Sequence, residues 1–390
     1  MQTPQRSPRQ HPRRAKAATG RGGEAISPFS RLRRAGGDAP YPIGVLPGEG
    51  VGPEVIPAAL AVLAAAAEGT PHHFALRTGG AIGHEALEHS GRYVTDEVIA
   101  FCRETFDDGG ALLCGPGGGR FVYDLRAEFD LFCKLTPVQP WAEIADAGPL
   151  RRAATRDVDI LFVRENSAGV YQGRSSAHRE HGRIRDARLQ VEYDDRRVER
   201  ILRMACDVAH ERRGRVCVVL KIDGIPDISA LWVEQAQRLI ADCGAELEVL
   251  EIDNACYQVA AEGSRFDVIV SPNLFGDILA DVGALQLASR GMSFSGNFAE
   301  SGAAVYQTGH GAAYDIAGKN RANPVGQIQS LAMLVRESFG LEDLGERMLR
   351  AARDVLAEGW RTPDIAGPDS QLVGTQELAR LIAERARTAS

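Results

Sequence analysis

The chain lacks several features that would assign it to a specialised class of proteins. No apolar run reaches the roughly 20 residues of a membrane-spanning helix, so we expect no membrane association. The seven cysteines form no Cys-x-x-Cys pair and their number is odd, which predicts free thiols in a reducing cytoplasm and no disulfide framework. The net charge of −7 argues against a general nucleic-acid-binding protein, and we expect no nucleic-acid partner.

The chain has 390 residues, of which 44% are hydrophobic and 25% are charged. This is sufficient for two domains, each with a hydrophobic core. Residues 1–40 differ in composition from the rest of the chain. They contain eight arginines and one lysine but only two acidic residues, and they show no apolar periodicity. This composition predicts a disordered basic tail. An organelle transit peptide, a misassigned start codon and an arm that binds polyanions are alternatives that the sequence leaves open.

From Tyr41 onward, apolar strand-like runs alternate with helical segments, which predicts an α/β protein with a largely parallel sheet. Strands are predicted at 43–46, 111–114, 159–163, 216–220, 247–252 and 268–270. The charged stretch 175–196 has few core-forming residues and predicts a projecting hairpin or arm. Residues 306–324 are rich in Gly, Ala and Asn and predict a loop, which two closing helices follow at 328–339 and 370–387.

A Gly-rich turn, PGEGVGPEV, follows the first strand. Such a turn can hold a phosphate at the amino end of the next helix. Pro53 stands after the third glycine and no ribose-binding acid follows about 20 residues later, so the Rossmann fingerprint is not met. In α/β sheets ligands bind beyond the carboxyl ends of strands, which is where the sequence predicts Arg164, Lys221 and Asp253.

The stretch from Phe266 to Arg290 carries the strongest chemical signal. Asp277 and Asp281 are its only charged residues between Asp267 and Arg290, and on a helix their spacing puts both on one face, about 5–6 Å apart at Cβ. Two carboxylates on an apolar segment repel each other and require a cation or a proton. A hard divalent ion, Mg²⁺ or Mn²⁺, would meet this need, and a solvated helix face is the alternative.

Six stretches together resemble the β-decarboxylating dehydrogenases, the family of isopropylmalate and isocitrate dehydrogenases. They occur in the family's order and read LPGEGVGPEV, LRAEFDLF, VRENSAGVY, IDNA, FDVIVSPNLFGDILAD and HGAAYDIAGKNRANP. The resemblance implies a two-domain α/β fold, a homodimer with shared active sites, a nicotinamide cofactor and a divalent metal. The implied cofactor-binding domain is 41–140 plus 289–390, and the implied central domain for substrate, metal and dimer contacts is 141–288.

The resemblance assigns ligand roles to individual residues. Asp277 and Asp281, with Asp253 from the other subunit, match the metal ligands, and the sequence offers no fixed cation to neutralise them. Arg126 and Arg164 match arginines that bind substrate carboxylates through a planar fork of N–H groups. A strand-end cap at Asp253 and a surface position for Arg126 are the alternatives.

The same resemblance implies a catalytic residue and a cofactor loop. Tyr171 matches the tyrosine that protonates the enolate carbon, with a packing role as the alternative. The residues that match the cofactor site are His310, Gly311, Asp315, Ile316 and Asn323. A carboxylate at 315 accepts hydrogen bonds from ribose hydroxyls and repels a 2′-phosphate, so the loop predicts NAD, a preference that Lys319 and Arg321 could soften.

Two departures from the family pattern concern the site. After LRAEFDLF the family continues Ala-Asn-Leu-Arg-Pro and this chain continues CKLTP, so Thr136 replaces a third substrate arginine. In an extended segment Lys134 lies on the same face and supplies a positive charge without the bidentate fork. The catalytic lysine is also displaced, because a gapless alignment puts Ile222 at its position; Lys221 serves only with a compensating bulge or insertion.

These observations predict an NAD- and metal-dependent enzyme that oxidises the 2-hydroxyl of a 3-substituted malate, with loss of CO₂ from the resulting β-keto acid. Because Thr136 removes an arginine–carboxylate contact, we expect a substrate other than isopropylmalate or isocitrate. A non-catalytic regulatory subunit of the same family is the alternative. The three aspartates, Tyr171 and the Asp315 loop favour the enzyme.

Overall fold

The computed structural model of the protein describes residues 39–388. Residues 1–38 of the predicted basic tail lie outside the described residues, so that prediction is not tested. No helix in the described part is long and apolar enough to cross a membrane. All seven cysteines lie in this part and are free thiols.

Strands and helices alternate over most of the described chain. The strands are β1 (Tyr41–Leu46), β2 (Phe74–Thr78), β3 (Ala111–Cys114), β4 (Cys133–Val138), β5 (Ile160–Glu165), β6 (Arg174–Glu180), β7 (Arg183–Gln190), β8 (Arg215–Leu220), β9 (Glu246–Glu251), β10 (Val268–Ser271), β11 (Phe294–Phe298), β12 (Ala304–Thr308), β13 (Trp360–Arg361) and β14 (Gln371–Leu372). The helices are α1 (Gly52–Ala67), α2 (His84–Ser90), α3 (Asp96–Asp107), α4 (Phe121–Glu128), α5 (Arg152–Thr155), α6 (Asp195–His210), α7 (Pro226–Cys243), α8 (Ile252–Glu262), α9 (Asn273–Gly283), α10 (Val325–Glu337), α11 (Glu342–Ala357) and α12 (Thr375–Thr388). Every strand predicted from the sequence is present, with ends within two residues of the prediction.

Ten strands form one sheet in the order β2-β1-β3-β12-β11-β4-β5-β10-β8-β9. Six neighbouring pairs are parallel, and β12–β11, β11–β4 and β4–β5 are antiparallel, so the sheet is largely parallel as predicted. Because β4 and β5 run in opposite directions, the amino end of β4 and the carboxyl ends of β5, β10, β8 and β9 share one edge of the sheet.

The pairing of β4 with β5 joins two halves of the sheet that come from different parts of the chain. One half contains β1 to β4, β11 and β12, and the other contains β5, β8, β9 and β10. The two sets of strands fall within the two predicted domains, whose boundaries themselves remain a prediction. In open α/β sheets ligands bind outside the carboxyl ends of the strands, which here are those of β5, β10, β8 and β9.

Packing in the second half positions the helix that carries the acidic pair. Trp232 of α7 is fully buried and its ring meets that of Tyr193 edge to face, with centroids 5.8 Å apart. The hydroxyl of Tyr193 accepts a hydrogen bond from the backbone nitrogen of Asn273 at 3.0 Å. Asp194, next to Tyr193, caps α6 by accepting from the backbone nitrogen of Arg197 at 2.8 Å. The amino ends of α6 and α9 are therefore held by neighbouring residues of one loop.

Helix α11 and strands β11 and β12 are among the elements that the sequence pattern does not predict. Helix α11 lies between the two predicted closing helices, and its buried face alternates with many charged residues. Strands β11 and β12 pair in the middle of the sheet, so the prediction of a loop from residue 306 is wrong as far as Thr308. Strand β11 reads FSGNF, and Gly, Ser and Asn are poor strand formers. It forms because the Phe298 and Tyr306 rings pack edge to face, 5.6 Å between centroids.

The charged stretch 175–196 contains a separate two-stranded antiparallel sheet, β6 with β7. Every residue of both strands is exposed, including Ile184 and Leu189. An isolated pair of strands has little stability of its own in water. The hairpin therefore has the form expected of an arm that contacts another surface.

Candidate active site

Two neighbouring strands carry the candidate substrate-binding residues. In the β4–β5 ladder Lys134 lies directly opposite Arg164, and Thr136 lies opposite Phe162. Directly opposed residues of an antiparallel pair project from the same face, with Cβ atoms about 4.5–5.5 Å apart. Lys134, Thr136 and Arg164 therefore share one face of the sheet, as the extended segment predicted. Thr136 is 4% exposed and Lys134 is half-buried.

Arg164 links β5 to α9. Its Nε and Nη2 atoms donate to Asn273 Oδ1 at 3.0 and 2.8 Å, and its Nη1 contacts the Asp277 carboxylate. Gly276 permits this approach, since a Cβ atom there would lie 2.8 Å from the Arg164 side chain. The Asn273 amide also donates to Ala168 O at 2.7 Å. One buried amide thus fixes the strand, the following loop and the helix relative to one another.

Tyr171 joins this network from the turn after β5. Its hydroxyl donates to Asp277 Oδ2 at 2.8 Å, and its ring lies 4.9 Å from the Tyr123 ring, centroid to centroid. The guanidinium of Arg164 lies 5.5 Å from the Tyr171 ring and that of Arg126 lies 5.6 Å from the Tyr123 ring. Burial, followed by the hydrogen bond to Asp277, raises the pKa of Tyr171 and keeps its hydroxyl protonated.

The acidic pair is neutralised in part by the protein itself. Arg164 pairs with Asp277, and Arg290 Nη2 lies 3.0 Å from Asp281 Oδ1. The expectation of carboxylates without a fixed cation is therefore wrong, because the cations come from β5 and from a turn after α9. Burial opposes ionisation of Asp277, but Arg164, Tyr171 and the more distant cations hold its pKa below the ordinary value. Burial raises the pKa of Asp281, against the effect of Arg290.

Lys221 and Asp253 pair with each other away from the acidic helix. Lys221 Nζ lies 2.7 Å from Asp253 Oδ1 and 3.1 Å from Glu251 Oε2, and these bonds raise the pKa of Lys221. Asp253 is 73% exposed and stands in the first turn of α8, two residues beyond the carboxyl end of β9 as predicted. Strand β9, which precedes Asp253, is two strands from β10 in the sheet, a distance of about 10 Å. No three metal-ligating side chains converge within residues 39–388.

Lys221 stands at the start of a turn. Strand β8 ends at Leu220, Lys221 follows it directly, and the backbone nitrogen of Ile225 donates to Lys221 O at 2.9 Å. Strand β8 keeps a regular register with β9 and β10, so it carries no bulge. That Lys221 takes the place of the catalytic lysine, through an insertion in this turn, stays a prediction.

Arg126 and Lys134 are cations of the site that lack an anionic partner. Arg126 is 4% exposed, and its Nε has no hydrogen-bond partner within the described chain. Lys134 makes no side-chain hydrogen bond or ion pair to any residue of that part. Burial and the nearby Arg164 lower the pKa of Arg126 to about 9. Burial, followed by Arg126 and Arg164, lowers the pKa of Lys134 to about 7.

The predicted cofactor residues lie between β12 and α10. His310 Nδ1 bonds to Gly311 O at 2.9 Å, and burial lowers the pKa of the ring. Asp315 is exposed, and its carboxylate has no partner among the described residues, whereas Ile316 is half-buried. The Lys319 ammonium donates to the backbone oxygen of Asp315 at 2.6 Å. This segment therefore presents a free carboxylate while its neighbouring cation is held by the backbone.

Asn323 makes structural hydrogen bonds in the same segment. Its Oδ1 accepts from the backbone nitrogen of Val325 at 3.0 Å, at the start of α10. Its Nδ2 donates to Asp364 Oδ2 at 3.1 Å, and Ser289 Oγ donates to the same oxygen at 2.5 Å. These contacts explain the burial of Asn323, and its predicted contact with the cofactor stays a prediction.

The Gly-rich turn after β1 holds the cofactor segment in place. The backbone nitrogen of Val51 donates to Ala312 O at 2.9 Å. Gly50 has a φ of +60°, and a Cβ atom there would lie 1.9 Å from that same oxygen, so only glycine fits. Glu54 Oε2 accepts from the backbone nitrogen of Asn320 at 3.0 Å. The turn therefore anchors this segment through protein contacts, and its capacity to hold a phosphate stays a prediction.

A family model described as isocitrate/isopropylmalate dehydrogenase matches residues 42–382. The chain belongs to this family. The 3-isopropylmalate dehydrogenase of Priestia megaterium is 36% identical over 354 residues, covering 87% of this chain and 94% of the relative. That of Aquifex aeolicus is 34% identical over 360 residues, covering 88% and 96%. The crystal structure of isocitrate dehydrogenase from Methylococcus capsulatus superposes with a TM-score of 0.80 at 30% identity, covering 89% of this chain and all of that one.

As a member of the isocitrate/isopropylmalate dehydrogenase family, the chain is an NAD-dependent decarboxylating hydroxy-acid dehydrogenase that uses Mg²⁺ or Mn²⁺. The donor chemistry of α9 fits such an ion, because Asp277 and Asp281 offer only carboxylate oxygens on one face. Burial raises the pKa of Asp281 in spite of the neighbouring Arg290, and a bound cation would favour the charged form of this carboxylate. Mg²⁺ commonly takes one or two protein carboxylates and completes its shell with water and substrate oxygens.

Three residues of the candidate site, Asn273, Tyr123 and Arg290, were not found from the sequence. Asn273 had a local signal, since it follows Pro272 at the start of the acidic helix. Tyr123 stands three residues before Arg126 on α4, on the same side of the helix. No local sequence pattern indicated Arg290. Its contact with Asp281 depends on two short 3₁₀ turns that follow α9, the second of which begins at Arg290.

Proposed function

We propose that the enzyme oxidises a 3-substituted malate whose substituent differs from those of isopropylmalate and isocitrate. The observation that carries this proposal is the exchange on β4, where a buried threonine stands at a substrate-arginine position and Lys134 faces Arg164. Lysine offers a point charge and no planar fork. The polar groups of the substrate must therefore meet a different pattern of donors.

We infer the following division of the reaction among the residues. A nicotinamide held at the segment of Asp315 would supply the hydride acceptor for carbon 2, and a divalent cation on Asp277 and Asp281 would polarise the substrate oxygens. Arg126 and Arg164 bind substrate carboxylates, and Lys221 relays the proton of the 2-hydroxyl. The bond to the carboxylate on carbon 3 then breaks, CO₂ leaves, and the electron pair remains as an enolate. Tyr171 donates a proton to carbon 3 of that enolate.

We propose that two copies of the chain share each active site. Lys221 and Asp253 are exposed and lie apart from the acidic helix that they must serve. Tyr257, Ile278 and Leu285 are exposed apolar residues on α8, on α9 and just after it, at 73%, 48% and 41% exposure. A second copy that covers them would bring its own Lys221–Asp253 pair to this surface. Ile278→Asp should yield a monomer in analytical ultracentrifugation, with loss of activity.

We attribute the use of NAD to Asp315, whose free carboxylate can accept hydrogen bonds from ribose hydroxyls. Lys319 is held by a backbone oxygen at 2.6 Å, which supports this assignment.

We also propose a reducing compartment, the cytoplasm, for the enzyme. Five of the seven cysteines are buried, and burial raises the pKa of the Cys102 thiol to about 12, so such thiols are inert.

The decisive experiment is a scan of malates that differ only in the 3-substituent, with NAD and Mn²⁺ and with NADH formation as the readout. The proposal expects the highest kcat/KM for a compound other than isopropylmalate or isocitrate. A kcat/KM of roughly 10⁴ M⁻¹s⁻¹ or more for either of these two would contradict it.

One observation favours a second candidate, a regulatory subunit that binds ligands without turnover. Asp253, Asp277 and Asp281 each form an ion pair with a cation of the chain, so the carboxylates are partly neutralised without a metal ion. In that case Mn²⁺ and NAD would bind in calorimetry while no malate in the scan is oxidised. Activity of the purified chain alone would exclude this candidate.

A further inference from the structure

The carboxylate of Glu49 joins three segments that are distant in the sequence. Glu49 stands in the Gly-rich turn and is 7% exposed. Its Oε1 accepts from the backbone nitrogen of Glu85, in the first turn of α2, at 2.7 Å. Its Oε2 accepts from the backbone nitrogen of Gly118 at 2.7 Å and from the hydroxyl of Tyr314, in the cofactor segment, at 3.0 Å. A buried carboxylate depends on such donors, because the loss of any of them leaves a charged oxygen without a partner.

The loop at residues 115–120, which reads GPGGGR, is held closely by these groups. Besides the bond from Gly118 to the carboxylate, the backbone nitrogen of Glu49 donates to Pro116 O at 2.7 Å. A Cβ atom at Gly118 would lie 2.7 Å from the Tyr314 hydroxyl oxygen, so glycine lets the loop pass this close to the cofactor segment. The position of the loop is therefore tied to the position of Tyr314.

The loop leads directly into residues of the candidate substrate site. Arg120 is its last residue, and α4 follows with Tyr123 and Arg126. Arg120 Nη2 donates to Tyr171 O at 3.4 Å, and Gln172 Nε2 donates to Tyr123 O at 3.2 Å. A displacement of the loop would consequently reach both α4 and the turn that carries Tyr171.

Tyr314 is the exposed member of this set of contacts. Its side chain is 55% exposed, and a cleft of about 350 Å³ lies beside it, between the Gly-rich turn and α2. Burial, followed by the hydrogen bond to Glu49, raises the pKa of Tyr314 to about 12, so its hydroxyl remains a donor at neutral pH. Because the ring is exposed and has room to move, its bond to Glu49 opens more easily than the buried bonds of the same carboxylate.

From these contacts we propose that Glu49 and Tyr314 are positioning residues through which bound NAD fixes the substrate helix α4. Tyr314 precedes Asp315, so a ribose held by Asp315 immobilises the tyrosine as well. The hydroxyl then stays on Glu49, which holds Gly118 and the start of α4. Whichever ligand binds first bears the entropic cost of this ordering, so NAD and the substrate strengthen each other's binding.

This inference rests on the proposed function, because it takes the segment of Asp315 as the NAD site and α4 as part of the substrate site. An opposing arrangement makes a different prediction. If the Tyr314 ring only stacks on a flat ring of NAD, its hydroxyl has no role, and Tyr314→Phe behaves as the wild type. In the proposed arrangement Tyr314→Phe still binds NAD but no longer transmits that binding to α4.

The first measurement is hydrogen exchange followed by mass spectrometry, with saturating NAD and no malate. In the wild type NAD should slow exchange about threefold or more in peptides that cover 310–320 and in peptides that cover 115–128. In Tyr314→Phe the protection of 310–320 should persist, whereas exchange of 115–128 should stay within about 1.5-fold of the free enzyme.

Two further variants make the result specific. Glu49→Gln keeps the shape of the side chain and replaces an acceptor oxygen with a donor, so it should lose the protection of 115–128 as Tyr314→Phe does. Tyr306→Phe is the matched control, because it removes a phenol hydroxyl that bonds to Ser338 Oγ at 2.9 Å, on β12 and away from Glu49. It should leave the protection of both groups of peptides unchanged.

The second measurement gives the coupling between the two ligands. Calorimetry yields the Kd of isocitrate and of 3-isopropylmalate with Mg²⁺, without and with NADH, which cannot accept a hydride, so no reaction occurs. For a malate that binds, NADH should lower the Kd at least about fivefold in the wild type and less than about twofold in Tyr314→Phe.

The outcomes separate this inference from the proposed function. If NAD protects neither group of peptides in the wild type, the NAD assignment and the inference both fail. If NAD protects 310–320 alone, or if Tyr314→Phe protects 115–128 as the wild type does, only the inference is overturned. The hydrogen-exchange result needs no malate, so it decides the role of Tyr314 whichever malate is the best substrate and also if neither probe binds.

Discussion

Arg290 connects the acidic helix to the cofactor segment through a contact with Asp281. Its Nη2 atom lies 3.0 Å from Asp281 Oδ1 and also donates to Gly309 O at 2.9 Å. Gly309 immediately precedes His310 at the start of the cofactor segment. A divalent cation on Asp281 must compete with this guanidinium, because both are positive. If the predicted sites are correct, metal binding and cofactor binding would both affect the Arg290 side chain.

This contact predicts opposite effects of two substitutions. Arg290→Gln removes the competing charge and keeps a donor for Gly309 O, so Mn²⁺ should bind about two- to fivefold more tightly with NAD affinity unchanged. Arg290→Ala should tighten Mn²⁺ in the same way and weaken NAD, because the segment loses its anchor. Calorimetric titrations with Mn²⁺ and with NAD measure both effects. Weaker Mn²⁺ binding by Arg290→Gln would contradict the competition.

Loss of one carboxylate on α9 should abolish turnover without unfolding the protein. Asp281→Asn keeps the shape of the side chain, so we expect an unchanged circular dichroism spectrum and a fall in kcat of at least about 100-fold, because a Lewis acid contributes several kcal/mol. Asp369→Asn, at an exposed position in the turn before β14, is the matched control. Full wild-type activity in excess chelator would contradict the metal assignment of Asp277 and Asp281.

The pH dependence of substrate binding should report Lys134. Its pKa is lowered to about 7, so the ammonium loses its charge as the pH rises through that value. The KM for an anionic substrate should therefore increase above about pH 7 in the wild type. In Lys134→Arg the KM should stay level from pH 6 to 8, a range in which Arg126, with a pKa of about 9, also remains charged. Arg126, Arg164, Asp277 and Asp281 face Lys134 and are the same in both proteins.

The choice between nicotinamide cofactors should depend on Asp315. For the wild type we expect kcat/KM with NAD to exceed that with NADP. Asp315→Ser should lower this ratio by roughly tenfold, because it removes both an acceptor for the ribose hydroxyls and a repulsion of the 2′-phosphate. Lys319→Met is the control and should change the ratio little, since its ammonium is bound to a backbone oxygen. A wild type that prefers NADP would overturn this assignment.

The strands and the acidic pair could be predicted because their signals are local. The buried runs of β8 and β10 are apolar on both faces, and the spacing of Asp277 and Asp281 sets their common side on α9. Even the shared face of Lys134 and Thr136 follows from the alternation of side chains in a strand.

The partners of these residues could not be predicted, because they depend on contacts between distant segments. Arg164 reaches Asp277 only through the pairing of β5 with β10 and the absence of a side chain at Gly276. The pairing of Lys221 with Asp253 and Glu251 joins the segments that follow β8 and β9, and no local pattern in the sequence indicates it. Strand β11 has unfavourable local propensities and forms through the packing of Phe298 on Tyr306.

Because the Lys221–Asp253 pair is separate from the acidic helix, two inactive variants should restore activity when they are mixed. In the proposed shared site, one copy supplies Asp277 and Asp281 and the other supplies Lys221 and Asp253. Two inactive variants, Lys221→Met and Asp281→Asn, should then complement each other when they are unfolded and refolded together. In each mixed dimer one site carries both defects and the other carries neither, so random pairing restores roughly a quarter of the sites.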